Sequence, residues 1–192
     1  ICVQNNITGK PYTMPEAQRF KSYGVAISGS RSTSRSSDYK KEKGMQLVIL
    51  AGGKGTRLGL TDIPKPMCPI AGKPLLERQI ELAKTYGFDE IFILSGHLAH
   101  VISDYFGDGS RWGVKIHHIV EDKPLGTAGA LKLIENKLAE NFMVIYGDVV
   151  MDFDMQAMLA FANRMPAVAT LLVHPNNHPY DSDLLQIEAG AG

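Results

Sequence analysis

From Met45 onward the chain alternates short apolar runs with segments of helical spacing, and this alternation constrains the fold more than any other feature. Residues 46–50 form an apolar run ending in Ala51-Gly52-Gly53, the pattern of a buried strand. Residues 74–86 place Leu75, Leu76, Ile80, Leu82 and Ala83 near helical spacing, with Gly87 as a stop. Strands are then expected over 90–94, 114–120, 141–146 and 167–173, and helices over 98–106, 126–138 and 153–164. Strands joined through helices imply right-handed crossovers and an α/β fold with a mostly parallel sheet. Ligands of such sheets bind outside the carboxyl ends of the strands. That rule selects residues 51–65, 95–97, 121–127 and 147–152 as candidate site segments.

The alternation does not reach the first 44 residues. They carry eight Lys/Arg against three Asp/Glu, whereas the remainder carries twelve against seventeen, so the overall charge of zero hides an asymmetry. Residues 28–37 read Ser-Gly-Ser-Arg-Ser-Thr-Ser-Arg-Ser-Ser, which buries almost nothing. Residues 1–44 are therefore expected to be an unassigned leader with a flexible Ser/Arg/Lys-rich linker, and residues 45–192 the folded domain. A basic, serine-rich run could also bind RNA, but a solvated linker accounts for it more simply. A zero net charge argues against a nucleic-acid binder held by phosphate neutralisation. An apolar share of 44% is enough for a core. Cys2 and Cys68 make no disulfide framework, which points to a reducing, cytoplasmic setting. No apolar run approaches the roughly 18 residues needed to span a bilayer, and no membrane partner is expected.

The most informative stretch is Leu50-Ala51-Gly52-Gly53-Lys54-Gly55-Thr56-Arg57-Leu58. Glycines at 52, 53 and 55 let backbone N–H groups crowd an anion with no Cβ in the way. Lys54 and Arg57 add positive charge suited to phosphate. The plain alternative is a tight strand–helix turn with incidental charges. Neither familiar phosphate loop fits. Gly55 follows Lys54 where a P-loop needs Ser or Thr, and Leu58 stands where a dinucleotide fingerprint needs its third glycine.

This stretch, followed by Pro64-Lys65-Pro66-Met67, resembles the signature of the sugar-phosphate nucleotidyltransferases, the nucleoside-diphosphate-sugar pyrophosphorylases. The resemblance continues through Gly72-Lys73-Pro74-Leu75-Leu76 and Asp104-Tyr105-Phe106-Gly107-Asp108-Gly109. It then takes in residues 121–131 and Gly147-Asp148, spans about 45–173, and is silent on 1–44. It is strongest toward the mannose-1-phosphate and D-glycero-D-manno-heptose 1-phosphate guanylyltransferases. The segment 174–183 resembles a subset that can be fused to a phosphatase domain. The implied fold is three-layer α/β/α with a Rossmann-like, mostly parallel sheet, the chain ending before the family's sugar-phosphate motif.

The implied reaction joins a nucleoside triphosphate and a sugar 1-phosphate, releasing pyrophosphate, and needs charge neutralisation and alignment rather than a covalent nucleophile. Arg57, ahead of Lys54, is then assigned to the leaving phosphates, and Lys65, stiffened by flanking prolines, to the reacting ones. Leu50, Ala51, Gly52, Gly53, Lys54, Gly55 and Thr56 become the nucleotide loop. Asp148, at a strand end in an apolar context, suits Mg²⁺, and the family's Gly-Asp motif has that role; the plain alternative is a helix cap. Asp152 and Asp154 read as helix N-terminal residues.

By the same resemblance, Glu121 with Gly126 and Thr127 lies where the base is read. A carboxylate only accepts hydrogen bonds. Guanine offers two adjacent donors and matches best, so GTP is favoured, while uracil offers one and stays open. His97 and His100, or His117 and His118, lack a third ligand for zinc. Trp112 and Tyr105 read as packing residues. A non-catalytic regulatory relative is the alternative, although retention of Arg57, Lys65 and Asp148 favours an enzyme. The sugar, a homo-oligomeric state and a fused phosphatase or upstream domain in a longer parent chain stay open.

Overall fold

The computed structural model describes residues 45–53, 62–165 and 167–173, together with the backbone of residues 24–28. The expectations for Lys54, Gly55, Thr56 and Arg57, for the rest of residues 1–44 and for 174–183 lie outside the described residues.

Six strands form one sheet: β1 (Gly24–Ser28), β2 (Met45–Ala51), β5 (Phe88–Ser95), β6 (Lys115–Val120), β7 (Asn141–Tyr146) and β8 (Ala169–Leu172), in the order β6-β5-β2-β7-β1-β8. A separate hairpin pairs β3 (Pro69–Ile70) with β4 (Lys73–Pro74). Among the described residues four α-helices accompany them: α1 (Leu75–Thr85), α2 (Ala99–Phe106), α3 (Gly126–Lys132) and α4 (Met155–Arg164). No described helix is long and apolar enough to cross a membrane.

The strands β6, β5, β2 and β7 are all parallel, as the alternation of strands and helices requires. Side chains alternate across the sheet. Leu47, Ile49 and Ala51 of β2 therefore join Leu76, Ile80 and Ala83 of α1, Ile102 and Phe106 of α2 and Met155 and Met158 of α4 on one face. Val48, with Phe92, Leu94 and Val144, packs on the other face under Ala130 of α3 and Ile134. Helices thus cover both faces, the three-layer α/β/α arrangement.

Three expectations shift. First, residues 24–28, set aside with the leader, enter the sheet as β1, antiparallel to both β7 and β8. An uncovered edge of β7 would leave a row of backbone N–H and C=O groups unpaired, and a strand laid there satisfies them. The fifth strand, expected over 167–173, spans Ala169–Leu172 and pairs antiparallel with β1. Second, the helix expected over 126–138 stops at Lys132. It gives way to a 3-10 turn (Glu135–Lys137), beyond which the buried Gln46 amide donates to Lys137 O at 3.1 Å and accepts from Ala139 N at 2.6 Å. Third, Leu98 precedes α2 in a left-handed conformation instead of opening it.

Other expectations hold. Asp154 caps α4, accepting from Ala157 N at 3.0 Å. His117 and His118 are adjacent on β6, and their side chains find separate partners. His117 stacks on Phe92 and meets Glu90 at 2.9 Å, while His118 reaches Gly107 O at 2.7 Å. Tyr105 and Trp112 pack with Phe106 in one ring cluster.

Candidate active site

The parallel strands end together. Ala51 is level with Ser95, Ser95 with Val120, and Leu50 with Tyr146. From β2 the chain passes to β5 on one side and later returns to β7 on the other, so the order reverses at β2. Parallel sheets open a crevice at such a reversal. A cavity of about 290 Å³ lies there.

Its walls come from the segments selected by sequence. Leu50, Ala51, Gly52 and Gly53 supply the end of β2, Glu121, Gly126 and Thr127 the segment after β6, and Lys65 and Asp148 the far side. Gly96 and His97 border an adjoining cavity of about 310 Å³ that shares Gly52 and Glu121. Glu121 therefore stands in the partition between the two spaces. Its backbone N–H donates to Ser95 O at 2.8 Å, and its Oε2 accepts from Leu125 N at 3.2 Å. Its Oε1 lies 3.3 Å from where a Cβ on Gly52 would stand, so any side chain at 52 would press on the carboxylate. Gly53 is different: a Cβ there meets no atom of the described residues within 4 Å. Gly126 does need its φ of +70°.

Lys65 begins a 3-10 turn (Lys65–Met67) whose Pro66 and Met67 are buried. Its Nζ lies 3.2 Å from Asp148 Oδ2, both side chains being partly exposed at the cavity rim. Among the described residues Asp148 caps no helix; Asp154 caps α4. Gly147 must be small. Its N–H donates to Leu50 O at 2.9 Å, and a Cβ would come within 3.2 Å of Leu50 O and Pro66 Cγ and 3.3 Å of Ile49 Cγ2. The crevice thus sets a cation and a carboxylate opposite a second carboxylate, with open backbone between. Among the described residues, no three His, Cys, Asp or Glu side chains gather into a metal cage.

Sequence reading did not single out Tyr146 and Pro66, which line the cavity, or Gln79 behind it. Tyr146 directly precedes the Gly-Asp pair, and its hydroxyl lies 3.4 Å from Thr127 Oγ1. Its position at a strand end was the available signal. Gln79 offered a weaker one, a polar residue inside an apolar helical stripe.

A glycine-edged crevice at the switch point of a parallel sheet, with lysine and aspartate at its mouth, is the place where α/β proteins of this class receive their ligands. The chain belongs to the nucleotidyl transferase family, whose model matches residues 46–182. It is 39% identical over 142 residues to a UTP--glucose-1-phosphate uridylyltransferase from Synechocystis, covering 67% of this chain and 37% of that protein. It is 40% identical over 116 residues to a D-glycero-alpha-D-manno-heptose 1-phosphate guanylyltransferase from Campylobacter jejuni, covering 59% of this chain and 52% of that protein. A crystal structure of HddC from Yersinia pseudotuberculosis complexed with GMP-PN superposes with a TM-score of 0.57 at 36% identity, covering 62% of this chain and 55% of that one. The chain therefore spans about half or less of the length of these relatives.

Proposed function

We propose that the protein containing this chain transfers a nucleotidyl group from a nucleoside triphosphate, with GTP favoured, to a sugar 1-phosphate, releasing pyrophosphate. The observation that carries this reading is the joint presence of Lys65, Asp148 and Glu121 around one cavity floored by Leu50 to Gly53. Lys65 binds the reacting phosphates and offsets their charge; Arg57, ahead of Lys54, serves the leaving phosphates, and Gly55 and Thr56 belong to the nucleotide loop. Gly52 and Gly53 let the triphosphate lie against the strand end. Glu121, with Gly126 and Thr127, receives the base.

Asp148 suits a hard cation: a single accessible carboxylate beside a phosphate path leaves the other coordination positions to phosphate oxygens and water, the donor set Mg²⁺ takes in nucleotide sites. When bound, Mg²⁺ supplies neutralisation of the charge that develops between attacking and leaving oxygens. Lys65 lies within reach of the same carboxylate, so it holds Asp148 in place and is itself held at the mouth.

One observation favours uridine instead. Glu121 Oε2 is already engaged by Leu125 N, which leaves Oε1 as the less committed acceptor, and uracil presents one donor where guanine presents two. The relatives named for each nucleotide are similarly close, at 39% and 40% identity.

Pyrophosphate release from each of five triphosphates, paired with a panel of sugar 1-phosphates on the full-length protein, tests both readings. Fastest turnover with GTP is expected. Turnover with UTP alone would replace guanine by uracil, and no release with any pair would refute the transferase reading.

A further inference from the structure

Helix α1 buries a primary amide where its pattern calls for an apolar group. Gln79 lies between Leu76 and Ile80, both fully buried, and is itself only 2% exposed. Burying an amide is unfavourable unless its polar atoms find partners. The Nε2 group finds two: it donates to Tyr146 O at 2.9 Å and to Val149 O at 2.7 Å. Both amide hydrogens are thereby used. The Oε1 atom is buried and has no partner among the described residues. A leucine or methionine would fit the stripe without stranding an acceptor. The side chain's value therefore lies in its donor half, and that half is aimed at one turn.

The two carbonyls flank Gly147-Asp148. Gln79 bridges the ends of the turn from beneath, while Gly147 N ties its side to Leu50 O at 2.9 Å. The same helix supports the opposite partner, because Leu75 N donates to Cys68 O at 3.0 Å, just beyond the turn that carries Lys65. One helix thus underlies both members of the Lys65–Asp148 pair.

We propose that Gln79 is a positioning residue that holds the Tyr146–Val149 turn so that the Asp148 carboxylate faces the cavity, an inference that rests on the reading of Asp148 as the cation-holding group. Residues that orient a metal-holding carboxylate from behind typically change metal affinity by roughly 10–100-fold when replaced. Gln79→Met keeps length and burial but removes both donors. Gln79→Glu keeps the shape and, when ionised, turns acceptors toward two carbonyls.

The test is carried out on the full-length protein with Mn²⁺ as the probe, its binding to the triphosphate-loaded protein being measured by the loss of free-ion electron paramagnetic resonance signal. Thermal unfolding and metal-free triphosphate affinity are measured beside it. For Gln79→Met we expect a cooperative melt, triphosphate affinity without metal within about twofold of the parent, and Mn²⁺ affinity lowered about tenfold. Unchanged Mn²⁺ affinity in a folded variant overturns the proposal. If Gln79→Met does not fold, Gln79→Glu is read in the same way; if neither folds, Gln79 serves stability and the positioning role is rejected. Asp148→Asn runs in parallel. If it leaves Mn²⁺ affinity unchanged, the assignment of Asp148 itself fails. If it weakens Mn²⁺ binding while Gln79→Met does not, only the role of Gln79 fails.

Discussion

Replacing Glu121 by glutamine tests base reading through a constraint visible at one hydrogen bond. Leu125 N donates to Glu121 Oε2 at 3.2 Å. A glutamine can keep that bond only by presenting its carbonyl oxygen to Leu125, which turns its NH₂ group into the position of Oε1. The atom facing the ligand changes from acceptor to donor, and the side chain's charge is lost. A hydrogen bond to a charged group contributes about 1.5–3 kcal/mol, so GTP affinity is expected to fall roughly 10- to 140-fold. ATP presents no matching pair of donors and should change by less than about threefold. Inosine triphosphate, lacking the exocyclic amino group, should bind the parent more weakly than GTP. Isothermal calorimetry on parent and variant gives the GTP/ATP affinity ratio directly. A constant ratio would refute base recognition by Glu121. A fall in the affinity of both nucleotides by the same factor would instead assign Glu121 to supporting the cavity wall through Leu125 and Gly52.

Asp148→Asn keeps the shape but removes the charge; turnover at saturating Mg²⁺ is expected to fall by at least about a hundredfold, with metal-free triphosphate binding nearly unchanged, and near-parental turnover at limiting Mg²⁺ would remove Asp148 from the metal role. Gly147→Ala and Gly53→Ala should separate packing from ligand approach. The first forces a methyl against Leu50 O, Pro66 and Ile49 and should cost roughly 1–3 kcal/mol in denaturant unfolding. The second meets nothing among the described residues, should leave the unfolding midpoint in place, and should still weaken triphosphate binding. Glu90 gives a pH prediction. The Gln46 amide, then His117, holds its carboxyl below the ordinary glutamate range. A depressed folded-state value contributes stability above the ordinary value that is lost as pH falls through the depressed one. Glu90→Gln should therefore flatten the slope of melting temperature against pH below about pH 5, and an unchanged slope would show that Glu90 adds nothing to acid sensitivity.

Much of the fold was legible because it rests on local periodicity. The strand Asn141–Tyr146 falls within the bounds expected, since an apolar run closed by Gly147-Asp148 needs no distant partner to be recognised. The site was legible for a related reason: in parallel sheets the chain ends its strands where ligands bind, so glycine-rich strand ends at 51–53, Glu121 and Gly147-Asp148 identify the crevice from sequence. The insertion of β1 was not legible. Its partners lie more than a hundred residues away on β7 and β8, and a five-residue run beside a serine-rich stretch carries no sign of them. The tie between Gln46 and the chain at Lys137 spans 91 residues, and the clamp on the Asp148 turn depends on Gln79, 67 and 70 residues from its acceptors. Sequence alone determined the alternating strands and helices from Met45 onward and which strand ends border the crevice, because spacing and residue type decide those locally. Only the tertiary structure decided which edge is covered and what ties down the Tyr146–Val149 turn, because each depends on polar groups finding partners that the chain brings near only once it has folded.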